Sequence, residues 1–246
     1  MKNQTIAIIG NGVMGQAIAQ NLVLNRVYSR TDIFMVEKNK KCPAAGIIII
    51  AVKPQDFSDL AGQLGNLDKN QLVISIMAGV ALAKLKSRLR HRKVVRAMPN
   101  LAAQIGQSFT VWKTGVRLSS SERRQVMAIF KALGQALEVG QEDFINKATA
   151  ISGSGPAYLY YFIEAMIKSA ENLGFSKIVA KQMVDQTLTG ALGVYSQSGA
   201  TAGTWRERVT SKKGTTAAAL AILEKGKFAL LIKQAINAAY KRAKEL

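Results

Sequence analysis

Two stretches of this 246-residue chain carry residue types spaced for chemistry. The first is Gly10-Asn-Gly12-Val-Met-Gly15, entered from the apolar run Ile6 to Ile9 and left through the helix-compatible stretch Val13 to Leu24. A Gly-x-Gly-x-x-Gly turn between strand and helix receives a dinucleotide pyrophosphate. Its glycines allow a tight turn, close approach of backbone to phosphate and close packing of helix on strand, while the helix start offers free N–H groups. On this reading Ile9, Gly10, Asn11, Gly12, Val13, Met14 and Gly15 form a cofactor-binding segment. A second strand, Ile33 to Val36, ends at Glu37, about twenty residues past the last glycine, where an acidic residue meets a ribose hydroxyl. The second stretch is Val209-Thr-Ser211-Lys-Lys-Gly214-Thr215-Thr216, leading into the apolar run Ala217 to Leu223. Hydroxyls and a glycine at a helix start bring N–H groups, O–H donors and the helix dipole together as a seat for a small carboxylate; an N-cap without a ligand uses the same residues.

Two further segments close strands at their carboxyl ends, where ligands of open α/β sheets bind. Ala51-Val52-Lys53-Pro54 ends the third strand, and Met98-Pro99-Asn100 follows a later one. An ordinary solvated lysine and a plain turn asparagine fit these places as well. The lone histidine, His91, sits in Arg88-Leu-Arg-His-Arg-Lys93 and reads as an exposed spacer, which leaves no histidine for general-base work. The lone cysteine, Cys42, excludes an intrachain disulfide and a metal cluster and reads as a bystander.

The formal charge of +19 invites a phosphate-rich partner. The basic residues are scattered, however, and their denser runs are not interleaved with the aromatics of a single-strand stacking surface. Solvated helix faces, with steering of anionic ligands, account for them, so nucleic acid is the weaker reading. The apolar run Ala44 to Val52 is too short to span a bilayer and the N-terminus lacks signal-peptide regions, which points to the cytoplasm and away from a membrane.

The elements that position these residues fall into two parts. Ile6 to Ile9, Ile33 to Val36, Ile47 to Val52, Leu72 to Ile76, Val94 to Ala97 and Phe109 to Trp112 alternate with helical runs, which predicts a largely parallel sheet covered by helices. Beyond Asn146 the pattern is helical: Pro156 suits a first turn, then Ala157 to Leu173, Ile178 to Tyr195, Thr215 to Glu224 and Phe228 to Lys244. The expected architecture is an α/β Rossmann-type domain over 1–146 followed by an all-helical domain over 147–246.

With these segments assembled, the chain resembles pyrroline-5-carboxylate reductases. The resemblance runs in order through Ile9 to Gly15, Ala51-Val-Lys-Pro-Gln55, Ser75-Ile-Met-Ala-Gly-Val80, Arg96-Ala-Met-Pro-Asn100, Ser152-Gly-Ser-Gly-Pro-Ala-Tyr158 and Val209-Thr-Ser-x-x-Gly-Thr-Thr216. It implies reduction of the cyclic imine of 1-pyrroline-5-carboxylate to L-proline by hydride from NADPH, with NADH as the alternative donor. The cofactor supplies the difficult chemistry, which suits a chain without a catalytic histidine. The resemblance further implies that Ser211, Gly214, Thr215 and Thr216 hold the substrate's carboxylate and ring, with the Thr216 hydroxyl on the imine nitrogen as the catalytic contact. Asn100 serves the substrate, and Met77, Ala78, Gly79, Ala51, Val52, Lys53 and Pro54 serve the cofactor. The helical domain is expected to form a homodimer, assembled further into a ring, with one site drawing on different subunits.

The chain departs from the family in three places. Family members carry a further helix and strand after the second strand, whereas here Lys38 to Ala45, about eight residues, must bridge to the next one. At up to ~3.5 Å per residue such a connector returns along the sheet but holds no covering helix. This predicts a sheet truncated between its second and third strands, with a bare edge near the adenosine pocket and weakened cofactor binding. Cofactor choice is divided: Glu37 reads as NAD, whereas Lys38, Lys40 and Lys41 attract a 2′-phosphate, and the family's habit at Lys38 favours NADP. The family's Ser-Pro-Gly-Gly-Thr-Thr stands here as Ser211-Lys-Lys-Gly-Thr-Thr216, so Lys213 is strained if its position requires positive φ. A catalytically impaired relative that keeps the scaffold, and a basic nucleic-acid-binding protein, are the competing readings; a β-hydroxy-acid dehydrogenase has no need of the 211–216 loop.

Overall fold

A computed structural model of the chain describes residues 5–37 and 40–246. Its sheet has seven strands in the order β2-β1-β3-β4-β5-β6-β7: β1 Ile6–Ile9, β2 Ile33–Val36, β3 Ile47–Ile50, β4 Leu72–Ser75, β5 Val94–Met98, β6 Ser108–Thr114 and β7 Gly134–Glu138. All neighbouring pairs are parallel except β5 with β6. The central strands are runs of isoleucine and valine because both faces of a parallel sheet are buried, and β-branched side chains pack well on a pleated surface.

Each face has its own apolar layer. Ile6, Ile8, Ile47, Ile49, Ile74 and Val95 pack against α1 (Val13–Leu24) and α4 (Ser120–Ala132). Ala7, Ile9, Ile48, Ile50, Val73 and Val94 meet Phe57 and Leu60 of α2 (Phe57–Leu64) and Leu82, Leu85 and Leu89 of α3 (Leu82–Leu89). The three-layer arrangement is the expected Rossmann type, with one strand added: β7 pairs in parallel with β6, from Ser108 opposite Gly134 to Trp112 opposite Glu138.

The sheet ends at β2, as the short connector requires. Among the described residues of that connector, 40–46, there is neither helix nor strand, and Phe34 on β2 is 38% exposed. His91 corrects the reading of an exposed spacer. It is 5% exposed, and its Nε2 lies 2.8 Å from the Gln71 carbonyl oxygen. Arg90 closes α3 in the left-handed region, φ +48°, and this bend turns the next side chain inward despite its charged neighbours.

The chain divides into two compact units: one runs to Pro156 and takes in Asn237–Leu246, and the other is Ala157–Ile236. After α5 (Asp143–Ala148) and a π-helical turn at Thr149–Gly153 come α6 (Gly155–Asn172), α7 (Lys177–Gln197), α8 (Ala202–Arg208), α9 (Thr215–Lys225) and α10 (Phe228–Glu245). Within the helical unit Ala180 and Val184 are buried, while Tyr161 is 76% and Leu173 81% exposed, with Ile178, Leu192, Ile222 and Leu231 also exposed. So many large apolar side chains left exposed on one set of helices suit a protein-protein interface. No helix among the described residues is long and apolar enough to cross a membrane.

Candidate active site

The glycine turn leaves β1 with each glycine under a different constraint. Gly10 has φ +112°, donates its N–H to the Val36 carbonyl at 3.0 Å, and a Cβ there would come within 2.6 Å of the Ala51 carbonyl oxygen. A Cβ on Gly15 would collide with the Gly10 carbonyl oxygen, so the third glycine lets helix rest on strand. Gly12 differs from both: it is the N-cap of α1 in an ordinary extended conformation, and a Cβ there would meet nothing within 4 Å. No side chain caps α1, so its first N–H groups and the open side of Gly12 form a cradle that suits an anion. This donor set fits a dinucleotide pyrophosphate. Asn11 and Val13 are exposed beside it, Met14 is half-buried, and Gln16 Nε2 donates to the Asn11 carbonyl at 3.2 Å.

Sheet order carries the other segments to the same edge. Ala51 donates its N–H to the Ile9 carbonyl at 2.8 Å, so Ala51 and Val52 stand beside the glycine turn, with Lys53 exposed ahead of a 3₁₀ turn that opens at Pro54. The Ile76 N–H reaches the Ile50 carbonyl at 3.1 Å and brings Met77, Ala78 and Gly79 alongside. Met77 is buried, with its N–H on Ser75 Oγ at 3.3 Å, and Gly79 turns at φ +72° against Leu246. Asn100 follows β5, the next strand along. Its Oδ1 accepts the Ala102 N–H at 3.2 Å and its Nδ2 donates to the Ser152 carbonyl at 3.0 Å, so its amide already holds the π-helical turn. The carboxyl ends of β1, β3, β4 and β5 thus gather the first-domain candidates. Lys38 lies outside the described residues, while Lys40 and Lys41 are exposed.

In the helical unit, Ser211 to Gly214 form a tight turn, with the Gly214 N–H on the Ser211 carbonyl at 3.0 Å. Lys213 has φ +61°, so this position does require the left-handed conformation that glycine adopts freely. Gly214 is the N-cap of α9 with no side-chain cap, and a Cβ on it would collide with Ser211 Oγ, which places that hydroxyl against the helix start. Thr215 is exposed and Thr216 half-buried in the first turn. N–H groups and the Ser211 hydroxyl therefore meet at the positive end of a helix whose first turn carries two threonines, an arrangement that can hold a carboxylate.

Cys42 takes no part: burial pushes its thiol up, away from the reactive thiolate. Reading the sequence missed Arg96, whose guanidinium is buried and reaches Glu142 and Asn146. A charged residue inside the apolar strand Val94–Met98 was the available signal.

Comparison with known proteins covers nearly the whole chain. Residues 142–246 match the sequence family described as "Pyrroline-5-carboxylate reductase dimerisation", and residues 5–79 match "NADP oxidoreductase coenzyme F420-dependent". The chain is 32% identical to the pyrroline-5-carboxylate reductase of Haemophilus influenzae, over 100% of this chain and 98% of that protein. It is 30% identical to the pyrroline-5-carboxylate reductase of Synechocystis, over 98% and 97%. The crystal structure of Plasmodium falciparum pyrroline carboxylate reductase with NADP bound superposes with a TM-score of 0.90 at 27% identity, covering 100% of this chain and 98% of that one.

Proposed function

The chain belongs to the pyrroline-5-carboxylate reductase family, and from that premise we propose how its own residues carry out the family's reaction. It reduces 1-pyrroline-5-carboxylate to L-proline with NAD(P)H. The cofactor, when bound, supplies hydride, and the protein's work is to bind, align and exclude. The open N-terminus of α1 carries this reading, because Gly12 leaves room for an anion where Gly10 and Gly15 leave none.

Ile9 to Gly15 hold the pyrophosphate, and Ala51 to Pro54 with Met77 to Gly79 line the rest of the nucleotide's path along the strand ends. We assign the cofactor's binding to residues 1–146 and that of substrate and partner to 147–246, a functional division that differs from the compact units, in which 147–156 and 237–246 belong with the sheet. Ser211, Gly214 and Thr215 take the imino acid's carboxylate, using two N–H groups and hydroxyl donors. Thr216 Oγ1 keeps the proton of the iminium nitrogen by accepting it in a hydrogen bond, which holds the neighbouring carbon electrophilic. Asn100, with one amide N–H spent on Ser152, offers the second toward the substrate. The exposed Lys40 and Lys41 beside Glu37 favour NADPH over NADH, and Lys38 is assigned the same role.

The exposed apolar helices are those of a dimerisation domain, and the chain works as a homodimer or larger oligomer; a ring of dimers in the cytoplasm is the specific assembly proposed. The test is NADPH oxidation by the purified protein with the imine acid, with NADH in parallel. Thr216→Ala loses a hydrogen bond to a charged group, about 1.5–3 kcal/mol or roughly 10- to 150-fold in rate, while NADPH affinity holds. Full activity in that variant removes Thr216 from its role, and no turnover by a folded, cofactor-saturated dimer of the unmodified chain returns the protein to the scaffold-only reading.

A further inference from the structure

Among the described residues of the first unit, Arg96 is the charged group most deeply withdrawn from water, with a side chain 3% exposed. It stands in β5 directly opposite Ser75, the last residue of β4, whose hydroxyl accepts the Met77 N–H. Its Nη1 donates to Glu142 Oε1 at 2.7 Å and its Nη2 to Asn146 Oδ1 at 2.7 Å. The same Glu142 oxygen accepts the Leu82 N–H at 2.8 Å, at the start of α3, three residues past Gly79. Asn146 lies on α5, which runs into the π-helical turn whose Ser152 carbonyl holds Asn100.

One guanidinium therefore ties together the three backbone segments that border the reducing end of the cofactor path: 75–82, 96–100 and 142–153. A buried arginine paired with a part-exposed carboxylate adds little to stability against an apolar substitute of the same volume, so a stabilising role alone explains this arginine poorly. A single planar guanidinium whose two Nη groups each hold a different acceptor is, by contrast, a means of fixing relative position. π-helical turns are also frequent at functional sites.

We propose that Arg96 is a positioning residue for hydride transfer, holding the Met77–Gly79 loop and Asn100 in one frame through Glu142 and Asn146. The proposal rests on the functional reading above. Displacement of reacting groups by about 1 Å costs on the order of 100-fold in rate without altering how much ligand is bound.

Single-turnover NADPH oxidation at saturating imine acid and cofactor, scaled to folded dimer, is the measurement. Arg96→Lys keeps the charge but cannot span both acceptors, and Glu142→Ala removes the shared oxygen; each is expected to slow the turnover by about 10- to 100-fold. Both KM values stay within about twofold, since uniform binding is untouched. Glu142→Gln, which keeps an oxygen for Leu82 and Arg96, returns the rate to within about threefold of the unmodified enzyme. An unimpaired Arg96→Lys or Glu142→Ala, a loss confined to KM, a loss that disappears on scaling to folded protein, or equal losses in Glu142→Ala and Glu142→Gln overturns the proposal. Inactivity of the unmodified chain would instead overturn the functional reading.

Discussion

Adding a methyl group at Gly12 separates cofactor binding from folding. Gly12 has φ −81° and ψ −178°, which alanine adopts freely, and a Cβ there meets no protein atom within 4 Å. Alanine is a poorer N-cap than glycine by roughly 0.5–1 kcal/mol, and stiffening the unfolded chain gives back about 0.4–1 kcal/mol. Net stability should move by no more than about 0.5 kcal/mol. The methyl group occupies the cradle, however, and holds the pyrophosphate away from the α1 N–H groups. Losing one charge-assisted hydrogen bond costs about 1.5–3 kcal/mol, a rise in the NADPH Kd of roughly 10- to 150-fold. Gly15→Ala is the contrasting control, because its Cβ collides with the Gly10 carbonyl oxygen and should cost about 1–3 kcal/mol in stability. Fluorescence titration gives the Kd and calorimetry the melting temperature. An unchanged Kd in Gly12→Ala, or a melting temperature lowered as far as in Gly15→Ala, refutes the assignment of this turn.

Lys213 occupies the left-handed region at a cost of about 1–2 kcal/mol, against about 0.4–1 kcal/mol that glycine loses through its freer unfolded state, so at the midpoints of these ranges Lys213→Gly should gain about 0.8 kcal/mol. Urea midpoints at equal subunit concentration check it, and an unmoved or lowered midpoint refutes strain at this turn. Asp143 accepts a hydrogen bond from Tyr240 at 2.7 Å, and this bond, followed by Lys147, holds its carboxyl below the usual range. Its contribution is then present above the ordinary carboxylate value of about 3.9 and lost as pH falls through the folded-state value. Melting temperatures of the unmodified chain and Tyr240→Phe should therefore differ at neutral pH and converge in acid; a constant gap is the contrary result.

The features legible in the sequence are those governed by neighbours in the chain. The glycine turn is one, since each glycine answers a local demand, and the isoleucine-rich strands are another, since β-branched runs bounded by turns need no partner to be recognised. Strand β7 escaped because Gly134-Gln-Ala-Leu-Glu138 has little β preference of its own and is held by pairing with β6. His91 was misjudged because its charged neighbours suggested solvent, while the left-handed turn at Arg90 sends it inside. The strain at Lys213 came from comparing its loop with the family's glycine. Arg96 is legible only as a charge inside an apolar strand, whereas its partners are not, since Glu142 and Asn146 stand 46 and 50 positions away and only the packing of α5 on the sheet brings them close.

The missing helix and strand leave a lasting trait at the rim of β2. Its outer row of backbone groups is a template on which another molecule's strand can zip, and the cations at Lys40 and Lys41 sit beside it as guards. Dispersal in storage thus draws on side chains next to one rim as well as on the overall surplus of positive charge. Chemical acetylation, which erases those cations, would open the way to fibres.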